Sequence, residues 1–126
     1  MRIPKFEAQT EWVKPTEFPD LRKVDEIAID LETRDPDLIK KGSGAVIGNG
    51  EVIGIAVATS FYKGYFPIAH QGGGNMDEVK VLDWLKDVLE APSTKIFHNA
   101  MYDVCWLKKL GFKINGDIVC LSLIHI

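Results

Sequence analysis

The chain contains the stretch Glu26-Ile27-Ala28-Ile29-Asp30-Leu31-Glu32. A short apolar run bounded by charged residues is typical of a central strand of a sheet. Side chains two residues apart on a strand point to the same face, so Asp30 and Glu32 share a face and Leu31 points to the other. Neighbouring carboxylates repel each other unless a proton or a cation lies between them. The pattern therefore indicates a divalent metal site, and the alternative is a solvated strand end that leads into a loop.

The sequence that follows predicts an α/β domain with a mixed sheet and helices packed against it. Further strands are predicted at 52–58, 62–68, 95–98 and 118–126, and helices at 76–90 and 100–110. The second and third strands form a hairpin with Lys63-Gly64 near its turn. Asn75 and Glu78 match a capping box for the first helix. Residues 34–50 are glycine-rich, match no phosphate-binding glycine motif and predict a loop.

The composition is that of one soluble globular domain. The chain has 126 residues, of which 46% are hydrophobic and 26% charged, and no apolar run is long enough to cross a bilayer. Its start is unlike a secretory signal, and Cys105 and Cys120 are too few for a disulfide framework, so we expect a cytoplasmic protein. The net charge of −3 argues against phosphate binding by a basic surface alone. If nucleic acid is the substrate, metal ions held by carboxylates are the alternative means.

A second group of polar side chains opens the helix predicted at 100–110. Asn99 and Asp103 are spaced i and i+4, so they lie on one face of that helix. If the strand before it lies beside the first strand, its carboxyl end brings Asp103 towards Asp30 and Glu32. Three carboxylates then converge. The alternative is that Asn99 caps the helix and Asp103 is a first-turn charge favoured by the helix dipole.

Two segments together resemble a known family: Ile-Asp-Leu-Glu-Thr at 29–33, and His-Asn-Ala-Met-Tyr-Asp at 98–103 before a helix that ends Leu-Gly-Phe. They are similar to the first and second motifs of DEDD-type 3′–5′ exonucleases, in the version carried by the proofreading domain of family A (DNA polymerase I-like) DNA polymerases. The resemblance covers residues 24–119 and implies an RNase H-like fold.

The resemblance also implies a mechanism and a set of site residues. The matched acids, expected to be catalytic and to bind two Mg²⁺ or Mn²⁺ ions, are Asp30, Glu32 and Asp103. Positions matched to substrate contacts are Leu31, Thr33, Asn99 and Tyr102. The implied reaction is two-metal hydrolysis of 3′-terminal nucleotides from single-stranded DNA, with a polymerase domain in cis. Tyr102 fits helix packing as well as a platform for a base. An RNase D-like exoribonuclease and a non-catalytic nucleic-acid-binding fragment are the alternatives.

The sequence departs from this family at its carboxyl end. The family's fourth acid lies in a Tyr-x-x-x-Asp or His-x-x-x-Asp motif, which this sequence does not contain. Residues 120–126 resemble translated adaptor sequence instead of the Asp-Thr that usually follows. We therefore expect an irregular arm at 1–23, a partial exonuclease domain at 24–119, a non-native tail at 120–126 and little activity from the fragment.

Two histidines receive no catalytic role from the sequence. His70 and the glycines at 72–74 are interpreted as a loop, because no catalytic partner for His70 is evident. His98 is interpreted as a structural residue at the end of a strand. No closely paired cysteine and histidine spacing supports a zinc site.

Overall fold

A computed structural model describes residues 14–123 of the chain. Those residues form a five-stranded mixed sheet in the order β3-β2-β1-β4-β5. The strands are β1 (Glu26–Arg34), β2 (Glu51–Ala58), β3 (Lys63–Pro67), β4 (Thr94–Phe97) and β5 (Ile118–Cys120). The helices are α1 (Leu38–Lys41), α2 (Gly44–Ile47), α3 (Glu78–Glu90) and α4 (Ala100–Lys109), and a 3₁₀ turn covers Leu121–Leu123. Residues 1–13 of the arm predicted at 1–23, and residues 124–126 of the strand predicted at 118–126 and of the tail predicted at 120–126, lie outside the described residues.

The strand β1 lies at the centre of the sheet, as its apolar run predicts. It pairs antiparallel with β2 and parallel with β4. Strands β2 and β3 form the antiparallel hairpin, and β5 runs parallel to β4. The resulting α/β arrangement, with two long helices between parallel strands, is the one expected of an RNase H-like domain.

One hydrophobic core joins one face of β1 to both long helices. Ile27 and Ile29 of β1, Leu85 of α3 and Trp106 of α4 are at most 2% exposed and belong to the same cluster. Alternate residues of β1 point away from that cluster, which confirms that Asp30 and Glu32 share the opposite face. The core therefore fixes the direction in which the carboxylates project.

Residues 14–25 contain no helix or strand, yet part of this segment is packed into the core. Leu21 is fully buried. Phe18 stacks on Phe66 and Trp84 at centroid distances of 5.8 and 5.7 Å. The Trp84 indole N–H donates to the Pro19 carbonyl at 2.7 Å. These contacts tie the segment to β3 and α3.

Of three local predictions, two are wrong in detail and one is confirmed. The cap of α3 is Asp77, whose carboxylate accepts from the N–H groups of Val79 and Lys80, whereas Asn75 binds the backbone of His70. Lys63 and Gly64 begin β3 directly after the hairpin turn and pair with β2, so the prediction that they lie near the turn is confirmed. The last strand ends at Cys120, where the chain enters the 3₁₀ turn.

The connection between β1 and β2 is also more regular than the loop predicted at 34–50. It contains the two helical turns α1 and α2. Gly44 begins α2 and approaches other backbone so closely that an added Cβ would lie 1.7 Å from the Asn49 carbonyl oxygen. The Gly44 N–H donates to both carboxylate oxygens of Asp35 at 3.1 and 3.0 Å. Tertiary contacts, rather than helix propensity, stabilise these short turns.

Lys95 of β4 is a fully buried cation held by backbone oxygens. Its ammonium group donates to the carbonyls of Ala91, Ser93 and Asn115. Burial lowers the pKa of Lys95. These bonds join the end of α3 and the segment before β5 to β4. No helix within residues 14–123 is long and apolar enough to span a membrane.

Candidate active site

The site lies where β1 continues beyond its pairing with β4. That pairing ends at the partners Ala28 and Ile96, whereas β1 continues to Arg34. The chain leaves β4 and enters α4, which brings Asp103 to the uncovered edge of β1. There the Asp103 carboxylate accepts a hydrogen bond from the Leu31 N–H. The predicted neighbourhood of the first and fourth strands is thus confirmed.

Asp103 is an acid in a setting that disfavours its charge. It is only 4% exposed, although it lies in the first turn of α4. Burial and the nearby charge of Asp30 raise the pKa of Asp103 to about 7, against the opposing effect of the Leu31 hydrogen bond. The ion pairs among the described residues do not include Asp103. A positive charge placed beside Asp103 and Asp30 would therefore stabilise both carboxylates.

Asp30 faces both of the other acids. Loss of solvent around its carboxyl group raises the pKa of Asp30, His98 lowers it and the charge of Glu32 raises it again. His98 is thus close enough to interact electrostatically with Asp30, in addition to accepting a backbone hydrogen bond from the Ser122 N–H at its carbonyl. Its interpretation as a purely structural histidine is incomplete for that reason.

Glu32 is held by a hydrogen bond from β3, which lies on the side of β1 away from β4. The Tyr65 hydroxyl on β3 donates to Glu32 Oε1 at 2.7 Å, and its oxygen lies 2.5 Å from His70 Nε2. Burial and the bond to Glu32 raise the pKa of Tyr65, so its hydroxyl keeps its proton. Because β3 and β4 lie on opposite sides of β1, Glu32 is held towards β3 while Asp103 approaches from the β4 side.

The three acids are therefore neighbours without forming a closed cage. Within residues 14–123, no group of three or more His, Cys, Asp or Glu side chains is assembled to hold a metal ion. The donors that are present are carboxylate oxygens, the ligands that Mg²⁺ prefers, and Mg²⁺ commonly uses only one or two of them together with water and phosphate oxygens. The residues fit a divalent ion by their chemistry.

Thr33 and Tyr102 contact each other at the edge of the site. Thr33 Oγ1 lies 2.8 Å from the Tyr102 hydroxyl, which donates to Asp35 Oδ2 at 2.7 Å. Asp35 in turn binds the Gly44 N–H, so Tyr102 links α4 to the β1–β2 connection. The hydroxyl of Tyr102 therefore has a packing role, and its half-buried ring borders the same region.

The other two predicted substrate residues differ in exposure. Leu31 is 7% exposed and packs in the core, and its backbone lowers the pKa of the Asp103 carboxyl group. Asn99 is exposed and stands at the N-cap position of α4, but its side chain makes no capping hydrogen bond. Its carbonyl oxygen accepts from the Asp103 N–H at 3.2 Å. Asn99 thus occupies the N-cap position named in the alternative interpretation, but without a side-chain capping bond, and Asp103 is buried rather than an exposed first-turn charge.

The sequence gives two signals for the missed contact between Glu32, Tyr65 and His70. Gly54 interrupts an otherwise apolar strand, which often marks a close approach of another group. Alternation along the hairpin, given its register, places Tyr65 on the face that carries Glu32. Without the register, neither signal identifies Glu32 or His70 as the partner of Tyr65.

The chain is similar to known proteins. Residues 16–123 match the 3′–5′ exonuclease family of the family A polymerases. A DNA-directed DNA polymerase of Pseudomonas phage M6 is 42% identical over 81 residues, which cover 61% of this chain and 12% of the phage protein. The family match includes β1, α4 and the carboxylates that they carry. The chain therefore belongs to the 3′–5′ exonuclease family found in family A DNA polymerases.

Proposed function

We propose that this chain is part of a proofreading nuclease that removes nucleotides from the 3′ end of single-stranded DNA, with Asp30, Glu32 and Asp103 holding two divalent ions. The observation that carries this proposal is the buried Asp103 carboxylate beside Asp30, since neither acid takes part in any of the ion pairs among the described residues. A bare pair of acids in this position destabilises the fold, whereas the same pair with a cation does not. The family match supports the nuclease class.

The roles of the side chains follow from their placement. Asp103 and Asp30 supply oxygens at the uncovered edge of β1, and Glu32 supplies oxygens on the β3 side. When bound, Mg²⁺ ions lower the pKa of water and stabilise the charge on the leaving 3′ oxygen. The net charge of −3 makes direct steering of DNA by the protein weak, so phosphate binding depends on those ions. Thr33, Asn99 and Tyr102 border this region, and we assign them to the terminal nucleotide.

A polymerase domain in the same polypeptide is part of the proposal. The chain spans 12% of the length of the phage polymerase that it matches. The similarity to a DNA-directed DNA polymerase supports assigning the nuclease to replication, where it would remove misincorporated 3′ nucleotides. The missing Tyr-x-x-x-Asp or His-x-x-x-Asp motif leads us to expect that these 126 residues alone hydrolyse DNA weakly.

Binding is therefore the sharper test. A fluorescent single-stranded DNA with a free 3′ hydroxyl should bind the chain in Mn²⁺ and release on addition of EDTA. Asp30→Asn should weaken this binding about tenfold or more, whereas Asp83→Asn, an exposed acid of α3, should not. If DNA binding is unchanged by EDTA and by Asp30→Asn, the proposal of a nuclease is wrong and a non-catalytic binding module takes its place.

The substrate class needs its own comparison. The binding affinities of matched DNA and RNA oligonucleotides, each with a free or a phosphorylated 3′ end, should be compared. We expect the DNA with the free 3′ end to bind most tightly. Tighter binding of the free RNA end would favour the RNase D-like alternative and overturn the DNA assignment.

A further inference from the structure

We propose that Tyr65 and His70 are positioning residues, which fix the carboxylate of Glu32 in the orientation that the metal site requires. This inference rests on the proposed function, because it concerns the same carboxylate. Neither residue is among those that the motifs identify. Their contacts come from the hairpin β2–β3 and the segment that follows it.

The Tyr65 side chain can contact Glu32 only because the residue that it crosses on β2, Gly54, has no side chain. Glu32 pairs with Gly54, and Tyr65 belongs to the strand on the far side of Gly54. A Cβ at Gly54 would lie 1.8 Å from the Tyr65 hydroxyl oxygen and 2.3 Å from the ring carbon that bears it. Only glycine lets the ring cross β2 and place its hydroxyl 2.7 Å from Glu32 Oε1.

An irregularity in the sheet accompanies this crossing. The register between β1 and β2 shifts between Glu32 and Thr33, so that Thr33 pairs with Val52. The skipped residue, Ile53, accepts backbone hydrogen bonds at its carbonyl from Ile68 and Ala69 at 2.9 and 3.1 Å. Bulges of this kind redirect side chains and are common beside active sites. Here the bulge anchors the segment that carries His70.

The direction of the hydrogen bonds follows from a count of protons. A tyrosine hydroxyl has one proton, and Tyr65 donates it to Glu32. The contact of 2.5 Å with His70 must then use a proton on His70 Nε2, with the Tyr65 oxygen as acceptor. The chain of donors thus runs from His70 through Tyr65 to Glu32.

His70 is itself held in place at its backbone. The Asn75 side chain accepts from the His70 N–H at 2.8 Å and donates to the His70 carbonyl at 3.0 Å. Arg34, at the end of β1, donates to the neighbouring Ala69 carbonyl at 3.0 Å and pairs with Glu51 of β2. A loop that is tied back to β1 and β2 in this way can support a precise side-chain contact.

The consequence concerns how Glu32 presents its oxygens. A carboxylate has about four lone-pair positions, and the Tyr65 hydroxyl occupies one of them. The hydrogen bond removes rotational freedom from an exposed side chain and leaves the other positions for an ion. Partners that orient metal ligands typically change metal affinity about 10–100-fold when they are removed.

The test compares Tyr65→Phe with Tyr62→Phe in the whole chain. Both variants remove one hydroxyl from the same hairpin, but only Tyr65 contacts Glu32. We expect Tyr65→Phe to weaken Mn²⁺ binding about tenfold, measured by calorimetry, and to shift the ¹³C signal of the Glu32 carboxyl group in metal-free buffer. Tyr62→Phe should change neither. The signal is assigned by its loss in Glu32→Gln.

The histidine is tested by rescue. His70→Ala should weaken Mn²⁺ binding, and His70→Gln should restore much of it, because its amide supplies an N–H donor. A Glu32 carboxyl signal that is the same in Tyr65→Phe and the wild type overturns the inference, as does unchanged Mn²⁺ affinity.

Failure of the proposed function gives a different result. In that case the wild type binds Mn²⁺ no better than Asp30→Asn does, which overturns the metal site together with any role of Tyr65 in it. The metal-free carboxyl signal still shows whether Tyr65 and His70 fix Glu32.

Discussion

Asp103 and Lys95 are both buried ionisable residues, but their surroundings differ: those of Lys95 satisfy its hydrogen-bond donors and those of Asp103 disfavour its charge. The Lys95 ammonium is surrounded by three carbonyl oxygens that satisfy its donors. The Asp103 carboxylate receives one backbone N–H and faces another acid. The first arrangement serves the fold, because it ties separate segments together. The second is costly to the fold, because a buried carboxylate beside another acid is disfavoured in its charged form.

This difference predicts a pH dependence of stability. The pKa of Asp103 is raised from 3.8 to about 7, so the folded chain binds this proton more tightly than the unfolded chain does. The free energy of unfolding should therefore fall as the pH rises from 4 to 7 in metal-free buffer. Asp103→Asn should flatten this dependence and be more stable than the wild type at pH 8, by at most about 4 kcal/mol. Urea unfolding across this pH range measures both effects.

An exposed acid provides the control. Asp83→Asn on α3 should keep the slope of the wild type. Identical slopes in the wild type and Asp103→Asn would contradict a raised pKa at position 103. Saturating Mn²⁺ should reduce the slope in the wild type, because an ion takes the place of the proton.

The helix α3 shows which part of an element the sequence predicts. Its body agrees with the helix predicted at 76–90. Of the apolar residues at helical spacing there, Val81, Leu85, Val88 and Leu89 are buried and Leu82 is half-buried. The beginning was misplaced, because Asn75 and Asp77 are both good caps and only the tertiary structure assigns Asn75 to His70. Periodicity reports which face is buried, whereas a cap depends on where the preceding loop goes.

Replacement of the observed cap should destabilise this helix. Asp77→Ala removes the acceptor for the N–H groups of Val79 and Lys80 and the favourable charge at the helix start. We expect a loss of about 1 kcal/mol in the free energy of unfolding. Asp83→Ala removes an exposed acid from the body of α3 and should cost much less. Equal losses in the two variants would argue against capping by Asp77.

At the scale of the whole molecule, the strand order and the approach of Asp103 to Asp30 follow from the sequence. An apolar run, a hairpin and two strand-helix-strand crossovers allow few arrangements. The packing of residues 18–21 did not follow, because that segment has no periodicity, and a single leucine such as Leu21 gives no pattern. The crossing of Tyr65 over Gly54 depends on register, which a single strand does not reveal.

The packed segment predicts where the folding unit must begin. Leu21 is fully buried in the core, so Leu21→Ala should destabilise the chain by about 2–5 kcal/mol. Thr16→Ala, at an exposed position of the same segment, should be nearly neutral. Thermal unfolding of the two variants measures the contrast. A small effect of Leu21→Ala would show that the unit begins later, near β1.

Because Tyr65 reaches Glu32 across Gly54, the affinity for metal ions depends on the register of the β2–β3 hairpin. A slip of one residue between β2 and β3 would turn Tyr65 to the opposite face and put the apolar Phe66 above the carboxylates. Such a chain would keep its strands and much of its hydrogen bonding, yet Glu32 would lose its partner. Under the positioning role inferred for Tyr65, Mn²⁺ affinity would thus act as a quality test of folding that secondary-structure spectra cannot supply.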